Sequence, residues 1–185
     1  MTTPLVKVCG ITRARDGAAA LEAGASHLGF ILYEKSPRAI TLEQVGALMA
    51  ALPVPLEKPV AVDVNPDPER LARWATGGFA RYQLHFPHDL PRERIAQWAE
   101  IVGRENLWLA PKLPPGEAFP EDLLILSDFF LVDAFSEDAY GGTGETTDWS
   151  RFADWKNRWP DKNWILAGGL SPDNAAAALA ATGAE

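Results

Sequence analysis

The 185-residue chain has a single cysteine, Cys9, so it can form no internal disulfide. The usual mark of an oxidising compartment is therefore missing, and the expectation is a cytoplasmic protein. Three histidines, His27, His85 and His88, lack the spacing of a metal site, and no metal is expected from them. No apolar run is long enough to span a bilayer, and Met1-Thr2-Thr3-Pro4 carries neither a basic region nor an apolar leader, so no membrane partner is expected. Basic patches are absent as well. Lys and Arg number 17 against 25 Asp and Glu, a net charge of −8, which argues against a nucleic-acid partner. The same charge repels anions at long range, so a site for an anionic ligand must build its own local positive field. No Gly-x-Gly-x-x-Gly follows the first apolar run, which removes the main support for a dinucleotide-binding sheet. No linker or low-complexity tract divides the chain, and residues 1–185 read as one domain.

What is present is an alternation of short apolar runs and amphipathic stretches. The runs predict strands at Leu5–Cys9, His27–Leu32, Val60–Val64, Arg81–His85, Leu107–Ala110, Phe129–Asp133 and Asn163–Ala167. Each is nearly continuous, as in strands buried on both faces. Helices are expected at Ala14–Glu22, at Leu42–Leu52 behind a Thr41/Gln44 capping box, and at Asp67–Ala75 behind Asn65-Pro66. Others are expected at Arg92–Val102, Glu117–Leu126, Trp149–Trp159 behind an Asp148 cap, and Asp173–Ala181 behind Ser171-Pro172. Phe152, Trp155 and Trp159 fall on one helical face, and Trp108 and Trp164 suit helix-on-sheet packing. Seven strand–helix alternations imply an α/β fold with a parallel sheet, either a closed barrel or an open doubly wound sheet. Polar residues at the strand ends (Cys9, Asn65, His85, Asp133, Gly168-Gly169) favour the barrel, whose chemistry sits at that edge.

Cys9 ends the first strand. Most free cysteines are small core residues, but the strand-end position suits a general base, which would need a cation beside it; Lys7, Arg13 and Arg15 are near only in number. Asp133 ends a very apolar strand. It could cap a loop, or it could stay protonated in apolar surroundings and serve as a general acid. Gly141-Gly142-Thr143-Gly144 is either a plain turn or a backbone that approaches a ligand closely. Gly168-Gly169-Leu170-Ser171-Pro172 leads into a helix N-terminus, either a plain turn or an anion site. Arg38 in Ser36-Pro37-Arg38 is either a surface arginine or a carboxylate clamp. Gln83 and His85 read as core or turn residues.

Together these stretches resemble the phosphoribosylanthranilate isomerases of tryptophan biosynthesis. The matching motifs are Lys7-Val8-Cys9-Gly10-Ile11-Thr12, Gly29-Phe30-Ile31-Leu32 with Ser36-Pro37-Arg38, and Gln83-Leu84-His85. Asp133 leading to Tyr140-Gly141-Gly142-Thr143-Gly144, and Leu166 through Asn174, complete an ordered set that covers nearly the whole chain. The resemblance implies a TIM-type (β/α)8 barrel with no metal or organic cofactor. It implies an Amadori rearrangement of a small phosphosugar–anthranilate substrate, N-(5-phosphoribosyl)anthranilate, to 1-(2-carboxyphenylamino)-1-deoxyribulose 5-phosphate. Cys9 would be the base, Asp133 the acid and Arg38 the clamp for the anthranilate carboxylate. Gln83, His85, Gly142, Gly144, Gly168 and Gly169 would line the substrate, with phosphate at the Gly169 loop, in a monomer or homodimer.

There are departures from the family pattern. Family members usually continue past the point matching Glu185 with one more strand and helix, whereas seven strands are counted here. Phe86 stands where a glycine commonly follows Gln-Leu-His, and Asp63 where the third strand usually carries an aromatic. Two other readings follow. One is a barrel without turnover that binds phosphorylated ligands or is completed by a partner chain, with Leu5–Cys9 and Asn163–Ala167 facing a gap or a partner strand. The other is a different phosphosugar isomerase or epimerase on the same barrel.

Overall fold

A computed structural model describes residues 4–52, 54–55, 57–136 and 146–184. Seven strands form one parallel sheet: β1 (Lys7–Cys9), β2 (His27–Ile31), β3 (Pro59–Val64), β4 (Arg81–Pro87), β5 (Leu107–Lys112), β6 (Phe129–Val132) and β7 (Asn163–Leu166). Spatial order follows chain order, so each strand pairs with its sequence neighbours. Among the described residues, β1 and β7 are the outer members of the sheet. Among the described residues, five α-helices lie in the crossovers, α1 (Ala14–Glu22), α2 (Leu42–Ala51), α3 (Pro68–Ala75), α4 (Arg92–Val102) and α5 (Trp149–Arg158), and a sixth, α6 (Ala175–Thr182), follows β7. None is long and apolar enough to cross a membrane.

Strand alternation divides the apolar residues between two faces. Phe30, Ala61, Leu84, Leu109 and Phe130 face the helices and share a core with Leu71, Ile95, Trp98 and Phe152. Their neighbours in sequence, Ile31, Val60, Val62 and Trp108, form a second cluster on the opposite, inner face, with Cys9, Phe129 and Ile165 packed against it. Trp108 therefore does not pack under a helix as expected. It stacks on Phe129 at 6.0 Å and meets His27 edge-on at 5.2 Å. A strand that is apolar on both faces does not announce which face a given residue takes. Trp164 does pack against α5 and its C-cap, 6.0 Å from Trp155 and 5.9 Å from Trp159.

Most elements follow local chemistry. Thr41 and Gln44 form the reciprocal capping box. Helix α3 differs from expectation: Asp67 is its cap, accepting from the Arg70 amide at 2.8 Å, and Pro68 is its first residue. Asn65 instead takes a left-handed turn, φ 43°, at the end of β3. The helix expected over Glu117–Leu126 is a short 3-10 helix, Glu121–Ile125, because Pro120 stops helical hydrogen bonding upstream. Helix α6 starts at Ala175 after a Ser171–Asn174 turn, two residues later than expected. Phe86 has a packing explanation: fully buried on the helix side, it meets Trp98 edge-on at 5.7 Å.

Candidate active site

Cys9 is the last residue of β1, where the strand surfaces at the C-terminal edge of the sheet. Two residues earlier, Lys7 shares its face by strand periodicity. Opposite them on β2, Gly29 leaves the room both side chains use. A Cβ there would stand 2.8 Å from Cys9 Sγ and 3.2 Å from Lys7 Cε. Lys7 is thus the one of the three sequence-near cations that shares the thiol's face. Arg13 is exposed, and Arg15 is exposed and paired with Asp16 at 3.4 Å.

Asp133 follows β6 directly and is half-buried. Its Oδ1 accepts a hydrogen bond from the Ala134 amide at 2.9 Å. Burial pushes its pKa above the usual carboxylate value, against the pull of that amide and of the Lys7 charge. The raised pKa keeps the proton on this carboxyl further up the pH scale than on an exposed aspartate. Gln83 and His85 are buried and project from β4 on the inner face, away from Leu84 and Phe86. Their Nε2 atoms lie 2.6 Å apart. With the amide donating, the ring accepts, which requires neutral imidazole. Burial first, and Lys7 second, lower the His85 pKa to about 4, in keeping with a neutral ring.

Arg38 comes from the exposed loop between β2 and α2, 29 residues from Cys9 in sequence, yet its Nη1 donates to the Cys9 carbonyl at 2.9 Å. The guanidinium lies across Gly10, whose φ of +83° suits glycine, and a Cβ on Gly10 would stand 2.8 Å from Arg38 Cζ. Gly168 and Gly169 follow β7 with φ of +87° and +61°. A Cβ on Gly168 would come within 2.5 Å of the Ala134 amide nitrogen, so the end of β7 is pressed against the residue after Asp133. Among the described residues, no carbonyl accepts from the amides of Gly168, Gly169 or Leu170. The Ser171 amide is taken by Asn174 Oδ1 at 2.8 Å. Gly142 and Gly144 lie outside the described residues.

The sheet edge therefore carries a thiol with Arg38 across its carbonyl at β1, and a carboxyl with raised pKa after β6 beside loop amides after β7 that meet no carbonyl among the described residues. Lys7 acts electrostatically on Asp133 and His85 from the thiol's own strand. Sequence reading named Lys7 only as a numerical neighbour; the two-residue strand period was the signal that singled it out. Chemically, such a set can move protons between two sides of a bound molecule while cations and amides receive its anionic ends.

The family model described as N-(5'phosphoribosyl)anthranilate (PRA) isomerase matches residues 6–185. A curated N-(5'-phosphoribosyl)anthranilate isomerase from Zymomonas mobilis subsp. pomaceae is 36% identical over 182 residues, covering 97% of this chain and 83% of that one. The enzyme of the same name from Granulibacter bethesdensis is 38% identical over 183 residues, with the same coverage of 97% and 83%. Among solved structures, phosphoribosyl anthranilate isomerase from Thermotoga maritima superposes with a TM-score of 0.78 at 31% identity, covering 98% of this chain and 85% of that one. A phosphoribosyl anthranilate isomerase in complex with reduced 1-(o-carboxyphenylamino)-1-deoxyribulose 5-phosphate matches with a TM-score of 0.72 at 27% identity, covering 98% and 84%.

Proposed function

The chain belongs to the N-(5'-phosphoribosyl)anthranilate isomerase family of tryptophan biosynthesis, and on that premise we propose that Cys9 and Asp133 carry out the Amadori rearrangement as general base and general acid. Asp133 gives its proton to the furanose ring oxygen. The C1′–O4′ bond opens, and the nitrogen lone pair forms the iminium. Cys9, as thiolate, removes the C2′ proton, and the electron pair flows toward nitrogen to give the enolamine. Tautomerisation moves the enol proton to C1′ and leaves the C2′ ketone. The substrate gains one proton from Asp133 and yields one to Cys9, so the sum is an isomerisation, and loss of the Cys9 proton to solvent with uptake of one by Asp133 restores both groups.

Arg38 holds the anthranilate carboxylate with two parallel hydrogen bonds. The amides at Gly168 and Gly169 receive the phosphate. Gln83, His85, Gly142 and Gly144 line the substrate between these ends. The observation that carries the reading is the bond from Arg38 to the Cys9 carbonyl, because a carboxylate clamped by that guanidinium lies against the proposed base. A reducing, cytoplasmic setting suits this chemistry, since a thiol that works as thiolate must be kept from disulfide exchange. We further propose that residues 1–185 act as one domain, as monomer or homodimer; one Thermotoga maritima relative is described as a dimeric enzyme from which monomers were generated.

The test follows turnover by loss of substrate fluorescence. Cys9→Ala and Asp133→Asn are each expected to lower kcat by about a hundredfold or more, the usual scale of general acid–base catalysis. Near-full activity in either variant would remove that residue from its role. A second reading, a barrel that binds phosphorylated ligands without turnover or is completed by a partner chain, draws on β1 and β7 each pairing on one side only among the described residues. Tight binding of the reduced product analogue by a chain with no measurable turnover would favour it.

A further inference from the structure

Asp63, the residue that departs from the family's usual aromatic, is left unexplained by the chemistry above. It points from β3 to the helix side and is 1% exposed. Neither carboxylate oxygen accepts a well-aligned hydrogen bond. Its charged neighbour is Arg70 of α3, whose Nε lies 3.4 Å from Oδ2. A buried carboxylate with so little compensation is costly unless a cation is held against it. Burial raises the Asp63 pKa to about 6, against the Val64 amide and Arg70, while Glu34 and Asp67 push it the same way as burial.

The same guanidinium reaches further. Arg70 Nη2 donates to the Leu32 carbonyl at 2.7 Å and Nη1 to Glu34 Oε1 at 3.2 Å. Its plane lies 4.6 Å over the Trp74 ring. Leu32 and Glu34 are the root of the loop that carries Arg38. The Leu32 amide donates to the Val62 carbonyl at 2.8 Å, and the Ile40 amide returns to the Ile31 carbonyl at 2.9 Å. Inside the loop, the Ser36 amide bonds the Tyr33 carbonyl, and the Arg38 amide bonds Ser36 Oγ. The loop is thus a closed unit, with Arg70 at its root and Arg38 at its far end.

We propose that Arg70, pinned by the buried Asp63, is a positioning residue for substrate binding, holding the β2–α2 loop so that Arg38 stays over Cys9 and Gly10. The proposal rests on Arg38 being the carboxylate clamp. The fork of a guanidinium is needed, because the Leu32 carbonyl and the Glu34 carboxylate at the loop root and the Asp63 carboxylate on β3 must all be met from one plane. Arg70 touches no reacting group, so its loss acts through the fraction of time the loop is in place. A loop in place a tenth of the time binds about tenfold more weakly.

The experiment measures Kd for reduced 1-(o-carboxyphenylamino)-1-deoxyribulose 5-phosphate, together with kcat, in four variants. Arg70→Lys keeps a positive charge near Asp63 and loses the fork. It is expected to weaken binding about fivefold to twentyfold, with kcat at saturation within about twofold. D63N/R70Q removes both charges, so it avoids a bare buried carboxylate, and it is expected to show the same split should Arg70→Lys fold poorly. R38A weakens binding on its own, and R38A/R70K is expected to bind no worse than R38A, because the two act in series. Unchanged affinity in the Arg70 variants, a loss confined to kcat, or penalties that add in the double variant would each overturn the proposal. An unaltered Kd in R38A would instead remove the clamp reading on which it rests, so the two failures are told apart.

Discussion

Two residues of β1 show how little sequence separates a bystander from a participant. Lys7 and Cys9 share a face because strand side chains repeat every second residue, and Gly29 opposite leaves space for both. From there Lys7 works against burial at Asp133 and adds to burial at His85, since a positive charge favours the carboxylate and disfavours the imidazolium. The sign of its effect on catalysis follows. As the proposed general acid, Asp133 must be protonated, so turnover is expected to fall as pH rises through its raised pKa. Lys7→Met removes the charge that opposes the upward shift, so the alkaline limb of the kcat–pH profile should move to higher pH. A limb that stays where it was would show that Asp133 does not set it, or that Lys7 does not reach it. His85, buried and neutral at pH 7, is expected to contribute no titration of its own near neutrality.

At the scale of elements, three helices use one device. An arginine in the first turn of α3, α4 and α5 reaches back to carbonyls of the loops beside it. Arg70 takes Leu32, Arg92 takes His88 and Leu90, and Arg151 takes Pro114 and Glu117. Two of the three lie over a tryptophan one turn on, Arg70 over Trp74 and Arg151 over Trp155. Loop shape is thereby tied to helices that the core already fixes. The helix starts themselves rest on local caps. Asp148 accepts from the Ser150 hydroxyl and from the Arg151 and Ser150 amides, which lowers its pKa. Asp148→Ala should cost about 1 kcal/mol in urea unfolding at neutral pH. Because the folded pKa is depressed, that contribution is present above the unfolded value and fades as pH falls through the folded one. A cost that stayed constant into strong acid would mean the cap does not act through its charge. The strands and most of the helices could be read from apolar runs and these caps. The 3-10 helix and the start of α6 could not, because prolines and a side-chain-stabilised turn outweighed the apolar period there.

Across the whole sheet, burial is graded. Strands β3, β4 and β5 are sealed almost along their length, whereas β1 is half-buried at Lys7 and Cys9, exposes Val8 between them, and is preceded by the exposed Leu5 and Val6. Local opening should follow the same gradient, since it costs least where few apolar contacts are lost. Native-state amide exchange is therefore expected to be slowest at Tyr82, Leu84 and Phe86 of β4 and far faster at Val8. Equal protection in β1 and β4 would show that the outer strand is held by contacts other than those to β2. The gradient puts the proposed base on the most yielding strand and the proposed acid on a better-packed one, and the loop carrying Arg38 is anchored on the sealed side by Arg70.

By itself the sequence determined the alternation of strand and helix, the parallel sheet, and which polar groups stand at strand ends. Those follow from periodicity and capping, which act over a few residues. Only the tertiary structure decided that Arg38 lies across Cys9, that Lys7 acts on Asp133, that Trp108 turns inward and that Asp63 is met by Arg70. Each depends on register between strands or on a loop folding back over tens of residues. A strand that is apolar on both sides, and a charge whose partner is far along the chain, leave no periodic trace from which such pairings could be read.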